Sequence, residues 1–255
     1  MGALEGRHAL VTGGGTGIGA AIARTLARAG AAVSIAGRRT APLEKMVAEL
    51  PGAAAIVADV TSEASTQRMV EAAHASHGPI DILVANAGAA ESAPAAKIDL
   101  AQWERMIAVN LTGAFLSARA VLPDVTRSQG ETRRIIFVAS TAGLKGYPYV
   151  AAYCAAKHGV VGLARALSAE LAPRGVTVNA VCPGFAETPL LEASLAYIMS
   201  KTGRTRTEAE ADLVRLNPQG RFIAPEEVAA TVLWLCTPAA QSITGQAISI
   251  SGGEV

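Results

Sequence analysis

Tyr153 and Lys157 stand four residues apart in a segment, 153–172, whose pattern predicts a helix. That spacing puts both side chains on one helix face. A free phenol, with a pKa near ~10, is a poor acid–base group at neutral pH. A neighbouring ammonium favours the phenolate and lowers that value. The pair is therefore a candidate proton donor and acceptor, with Tyr153 exchanging the proton and Lys157 tuning it. Such pairs also arise by chance, as a surface lysine packed on a ring, so position has to decide. Ser140 follows a predicted strand at 134–139. Its hydroxyl there would hold an oxygen beside Tyr153.

The surrounding pattern supplies that position. Strand-length apolar runs at 8–11, 32–36, 54–58, 80–85, 134–139, 176–181 and 247–251 alternate with longer helical stretches. The helices run to residue 29, then over 42–50, 65–77, about 100–122, 153–172 and 225–236. This alternation predicts a doubly wound, Rossmann-type α/β fold: a parallel sheet of about seven strands with helices on both faces. The continuous apolar strands suit burial on both faces. Ligands of such sheets bind at the carboxyl ends of the strands, where Ser140 falls.

The whole chain agrees. Its 255 residues fit one domain, and 51% hydrophobic against 17% charged residues predicts a large core. With aromatics at 4%, that core is built from Ala, Val, Leu and Ile. A net charge of +1 lacks the basic footprint of a nucleic-acid binder. Three widely spaced cysteines, Cys154, Cys182 and Cys236, suit a reducing compartment, and with no secretory signal they point to the cytoplasm. The charge-free stretch 228–253 is broken by Thr237-Pro238, Gln241-Ser242 and Thr244-Gly245-Gln246, so it reads as helix then strand and not as a membrane span. Residues 189–221 fall out of rhythm and read as an inserted helical lid. No spacing of metal ligands is present.

Gly13, Gly14, Gly15, Thr16, Gly17, Ile18 and Gly19 join the first strand to the first helix. Glycines there permit a tight turn and close approach of a pyrophosphate to free helix N–H groups. Without a ligand, the same residues would make only a tight turn. The second strand ends in Gly37-Arg38-Arg39. An NAD site usually carries a carboxylate at this point. Two guanidinium groups suit a 2′-phosphate instead, so NADP(H) is favoured over NAD(H). Asp59, before Val60, either accepts from an adenine amino group or caps a turn. Asn86-Ala87-Gly88 would bring small residues and an amide beside the cofactor, or simply shape a turn.

Together these motifs make the sequence resemble the short-chain dehydrogenase/reductase family over essentially its whole length. Thr12, Gly13, Gly17 and Gly19 match the family's glycine motif, and Asn86, Ala87 and Gly88 its Asn-Ala-Gly motif. Asn110, Ser140, Tyr153 and Lys157 match its catalytic set, and Pro183 and Gly184 the Pro-Gly motif beside the nicotinamide. Thr188 resembles the family's cofactor-contacting threonine. Ala85 and Cys182 depart from the commoner residues at their positions. The resemblance implies hydride transfer between nicotinamide and a ketone or secondary alcohol. Ser140 would hold the oxyanion, Tyr153 protonate it, Lys157 bind the nicotinamide ribose, and Asn110 a proton-relay water. On residues alone, mid-helix Asn110 could instead satisfy a local carbonyl.

Substrate readings are softer. Segments 182–189 and 243–246 resemble polyketide ketoreductases and β-ketoacyl reductases. Tyr147, Tyr149, Phe185, Leu190 and Met199 are candidates to line an apolar substrate cleft. Arg127, Arg133, Arg134 and Arg174 on its rim, with Lys201, Arg204 and Arg206 on the lid, are candidate contacts for a thioester carrier's phosphate. The expected reaction is reduction of a 3-oxoacyl thioester or similar ketone. The alternatives are NAD-dependent oxidation of a secondary alcohol or 3-hydroxyacyl substrate, and a non-catalytic nucleotide sensor. The family resemblance also implies a homotetramer.

Overall fold

The computed structural model describes residues 2–127 and 133–255. Seven strands form one parallel sheet: β1 (His8–Thr12), β2 (Ala32–Gly37), β3 (Ala54–Val57), β4 (Ile82–Ala85), β5 (Arg133–Val138), β6 (Val176–Pro183) and β7 (Ala247–Ile250). Their spatial order is β3-β2-β1-β4-β5-β6-β7. The chain winds outward from β1 to β3, then crosses back to lay β4 on the other side of β1. Neighbouring connections therefore diverge at the carboxyl ends of β1 and β4 and leave a crevice.

Successive strand residues face opposite ways, and the core divides accordingly. Ala9, Val11, Val33, Ile35, Ile82, Val84, Ile136 and Val138 point to one face. There they meet α1 (Gly17–Arg28), α2 (Thr40–Glu49) and α9 (Pro225–Cys236). Leu10, Leu83, Ile135, Phe137, Val178 and Ala180 point to the other. There they meet α3 (Glu63–His77), α5 (Gly113–Val125) and α6 (Ala151–Leu171). Alanines at contact points, such as Ala114, Ala118 and Ala164, keep those helices close to the sheet.

The predicted helix at about 100–122 is divided. α4 (Leu100–Ile107) passes through a wide π-helical turn, Ala108–Thr112, into α5. The cause is visible: the Asn110 Nδ2 donates to the Met106 carbonyl, four residues back, at 3.0 Å. A side chain entering the backbone ladder widens it. The 100–125 run is long and apolar enough by composition to cross a bilayer, yet Ala114, Ala118, Val121 and Val125 lie in the core.

The inserted segment forms two helices, α7 (Pro189–Thr202) and α8 (Arg206–Val214), with a small core of their own around Leu191, Leu195 and Ala209. Its base is pinned where Ile223 donates to the Phe185 carbonyl at 2.8 Å and its carbonyl accepts from Glu187 N at 3.0 Å.

Candidate active site

At the crevice, Gly13 and Gly17 have φ of +65° and +54°, a region L side chains rarely adopt. A Cβ on Gly19 would lie 2.3 Å from the Gly13 oxygen and 2.4 Å from the Asn86 Nδ2. The turn is thus closed on itself as well as open to a ligand. Asn86 is its brace, its Nδ2 donating to Thr12 O at 2.9 Å and Gly13 O at 3.2 Å. The Thr12 hydroxyl accepts from the N–H groups of Asn86 and Ala87. Asn86 therefore sutures β1 to β4, the role its residue type left open. No side chain caps the α1 N-terminus, and its first turn holds no acidic residue. Its free N–H groups and positive dipole end face the cleft, a setting for an anion.

The cleft is lined by Gly13, Gly15, Thr16, Gly17, Ile18, Gly19, Arg38, Arg39, Asp59, Val60, Asn86, Ala87, Gly88, Asn110, Tyr153, Lys157, Thr188 and Leu190, among others. Pro183 and Gly184 sit just past it, at the end of β6, where Gly184 N donates to Ile250 O. Arg38 and Arg39 are exposed, and neither has a hydrogen-bond or ion-pair partner among the described residues. Asp59 accepts from the Thr61 N–H and hydroxyl through Oδ1, which holds its carboxyl below the usual range, with Arg38 helping. It makes the turn while facing the cleft. α3 itself is capped by Ser62. Thr188 caps α7 and packs its methyl 3.2 Å from where a Gly17 Cβ would stand, joining the inserted helices to the phosphate turn.

The proton-handling group is assembled from three elements. Ser140, after β5, hydrogen-bonds the Tyr153 phenol. Lys157, one turn on in α6, is buried, donates to the Val138 carbonyl at 2.8 Å, and places its ammonium 5.6 Å from the Tyr153 ring centre. Asn110 is locked against Ala89, donating to its carbonyl at 2.9 Å and accepting from its N–H at 3.2 Å. Gly88 fits between them: a Cβ there would stand 2.8 Å from the Asn110 Oδ1 and 3.7 Å from the Lys157 Nζ. Asn110 thus satisfies local carbonyls and also borders the cleft.

Burial acts on both groups. It pushes the Tyr153 phenol up to about 12, with the Ser140 hydrogen bond pulling it down. Burial also pushes the Lys157 ammonium down to about 8. Removing a phenolate from water disfavours it, so burial favours the protonated phenol, and a positive charge beside the ring opposes that.

Residues 7–197 match the family model described as short chain dehydrogenase. The chain belongs to the short-chain dehydrogenase/reductase family. A Streptomyces coelicolor protein named, by inference, a ketoacyl reductase is 38% identical over 99% of this chain and 98% of its own length. An actinorhodin polyketide ketoreductase variant solved with NADPH superposes with a TM-score of 0.92 at 37% identity, covering 97% of each chain. The 3-ketoacyl-(acyl-carrier-protein) reductase of Brucella melitensis, solved with NADH, gives 0.88 at 35% identity, covering 98% of this chain and 99% of its own. Short-chain dehydrogenases of this kind interconvert CH–OH and C=O groups with a nicotinamide cofactor, and so does this enzyme.

The substrate side of this dehydrogenase is only partly as expected. Leu190 lines the cleft. Tyr149 is exposed, at φ +69°. Phe185 and Met199 pack into the small core of the inserted helices, and Phe185 also meets Tyr147 edge-on at 6.2 Å. The proposed rim cations are elsewhere. Arg133 and Arg134 are buried at the amino end of β5, on the opposite edge of the sheet. Arg134 donates to Leu235 O and Thr237 O and so closes the carboxyl end of α9. Arg127 pairs with Asp81 at 2.7 Å on that same edge, and Arg174 precedes β6 there. On the inserted helices, Arg206 grips Glu192 and Glu210, Arg204 pairs with Asp212, and Lys201 lies over the Tyr197 ring. Cations at such positions read as exposed in sequence because burial of a strand's first residues depends on what packs below it.

Sequence reasoning missed Glu254. Its carboxylate is buried, accepting from the Tyr147 hydroxyl at 2.5 Å and pairing with Lys145 at 3.0 Å. A carboxylate one residue from the end of the sequence carries no signal of burial.

Proposed function

We propose that this enzyme is NADP(H)-dependent and works mainly as a reductase of a 3-oxoacyl thioester or similar ketone. The observation that carries the cofactor choice is the exposed Arg38–Arg39 pair, with no hydrogen-bond or ion-pair partner among the described residues, at the end of β2 where a carboxylate would favour NAD. The glycine turn fits the group. Its helix N–H groups are free, and side chains larger than hydrogen are barred at Gly13, Gly17 and Gly19. The turn would hold the pyrophosphate and the arginines a 2′-phosphate. Asp59 would meet the adenine, Thr188, Pro183 and Gly184 the nicotinamide side, and Lys157 the ribose.

When bound, the cofactor supplies the hydride. The chain supplies the rest. Ser140 donates to the carbonyl oxygen as negative charge develops on it. Tyr153, protonated at rest, gives its proton to that oxygen. Lys157 keeps a positive charge beside the phenolate left behind. Asn110, fixed by Ala89, borders the route by which the proton is replaced. NAD-dependent alcohol oxidation is the alternative, and the Brucella reductase solved with NADH supports its cofactor but not its direction.

The test is NADPH consumption with ketones and 3-oxoacyl thioesters. Tyr153→Phe should lower kcat about a hundredfold or more while leaving NADPH affinity within a factor of a few. Turnover that survives this change would remove Tyr153 from the chemistry.

A further inference from the structure

Glu254 belongs to no step above, yet it is placed with care. Three neighbours surround its carboxylate. Its Oε1 accepts from the Tyr147 hydroxyl at 2.5 Å and pairs with the Lys145 ammonium at 3.0 Å. Its Oε2 stands 3.3 Å from where a Gly184 Cβ would be, so a side chain there would crowd the carboxylate. The carboxylate side chain is only 2% exposed. The Tyr147 hydroxyl also lies 2.7 Å from Thr141 Oγ1. Thr141 follows Ser140, whose hydroxyl meets the Tyr153 phenol. Glu254 is thus two hydrogen bonds from the neighbour of the serine that would hold the substrate oxygen. Lys145 is pinned over the Tyr147 ring, 5.0 Å from its centre, and stays about one-third exposed.

This arrangement has a consequence for charge. Lys145 is the one cation on the loop between Ser140 and Tyr153, and Glu254 cancels it. Burial, with Glu254 beside it, keeps the Tyr147 phenol neutral well past physiological pH. Tyr147 and Phe185, edge-on at 6.2 Å, therefore form an electrically balanced aromatic pair, linked through Thr141 to the residue next to Ser140.

We propose that Glu254 is a specificity-determining residue: by neutralising Lys145 and holding Tyr147, it selects ketones with an uncharged group beside the carbonyl, such as esters and thioesters, over free keto acids. A keto acid would bring a carboxylate towards Glu254 while Lys145 is already engaged, and like charges at close range oppose binding. This rests on the reading of Tyr153 and Ser140 as the carbonyl-handling pair.

The experiment compares acetoacetate with ethyl acetoacetate on wild type, Glu254→Gln and Glu254→Gln/Lys145→Met. Glutamine keeps the shape and can still meet Tyr147, but it frees the Lys145 charge. The expected result is a rise of roughly tenfold in the kcat/KM ratio of acetoacetate to ethyl acetoacetate in Glu254→Gln, lost again in the double variant. Calorimetric titration of acetoacetate into the NADP⁺ complex should show the same gain without turnover. Thermal melts check that the variants fold. An unchanged ratio in Glu254→Gln, or a gain that survives Lys145→Met, overturns the proposal. If wild type turns over neither compound, the reductase reading fails by itself. The calorimetric titration then decides on Glu254: tighter acetoacetate binding in Glu254→Gln supports its role, and equal or undetectable binding throughout overturns it.

Discussion

At the scale of single residues, the site divides its labour by burial. Burial leaves Tyr153 protonated and brings the Lys157 ammonium down to about 8. Below that value Lys157 is charged, and above it the charge is lost while Tyr153 still holds its proton. Ketone reduction should therefore be flat in mildly acidic buffer and fall as pH rises through about 8. Lys157→Arg, less active but charged throughout, should lose that alkaline limb. A limb that stays in place in the arginine variant would assign it to another group. The types and spacing of Asn110, Ser140, Tyr153 and Lys157 were legible in sequence because helix spacing and strand ends fix where side chains go. The burial acting on Tyr153 was not, because no spacing reports desolvation. Glu254 escaped for the same reason: only the tertiary packing of Tyr147, Lys145 and Gly184 around it takes it out of water.

At the scale of elements, the phosphate turn is the most constrained part of the molecule. A side chain at Gly19 would enter both the Gly13 carbonyl and the Asn86 amide. Gly19→Ala should cost about 1–3 kcal/mol in a thermal or urea melt. It should also weaken NADPH binding, because the turn must open and the β1–β4 suture with it. A variant as stable as wild type, with unchanged affinity, would mean the turn is looser than its geometry. The strand and helix pattern was readable throughout, since alternation and apolar runs carry it. Two features were hidden. The π-helical turn at Ala108–Thr112 depends on where the Asn110 amide bonds, and an apolar repeat looks the same with or without it. The buried Arg133 and Arg134 looked like rim cations because a charged pair opening a strand resembles a solvated loop. Only α9 packing below supplies the carbonyls that take Arg134 in.

At the scale of the whole molecule, the apolar residues left outside the core describe a surface. Leu100 and Trp103 on α4, Phe115 on α5 and Trp234 on α9 are exposed. Large apolar side chains left exposed on helices of both layers suit burial against further copies of the chain. We expect a homotetramer in light scattering, with Trp103→Glu shifting it to smaller species while the melt of the fold itself changes little. A wild-type monomer at micromolar concentration would contradict this.

The 2′-phosphate is what separates the two cofactors, and one titration tests whether this enzyme grips it. NADPH and NADH fluorescence are followed on wild type and on Arg38→Ala/Arg39→Ala. Losing two charge-assisted contacts should cost about 1.5–3 kcal/mol, a loss of roughly ten- to a hundredfold. That loss is expected for NADPH alone, with NADH weak and unchanged. NADH binding as tight as NADPH in wild type, with neither altered in the variant, would contradict it and turn the search towards alcohol oxidation.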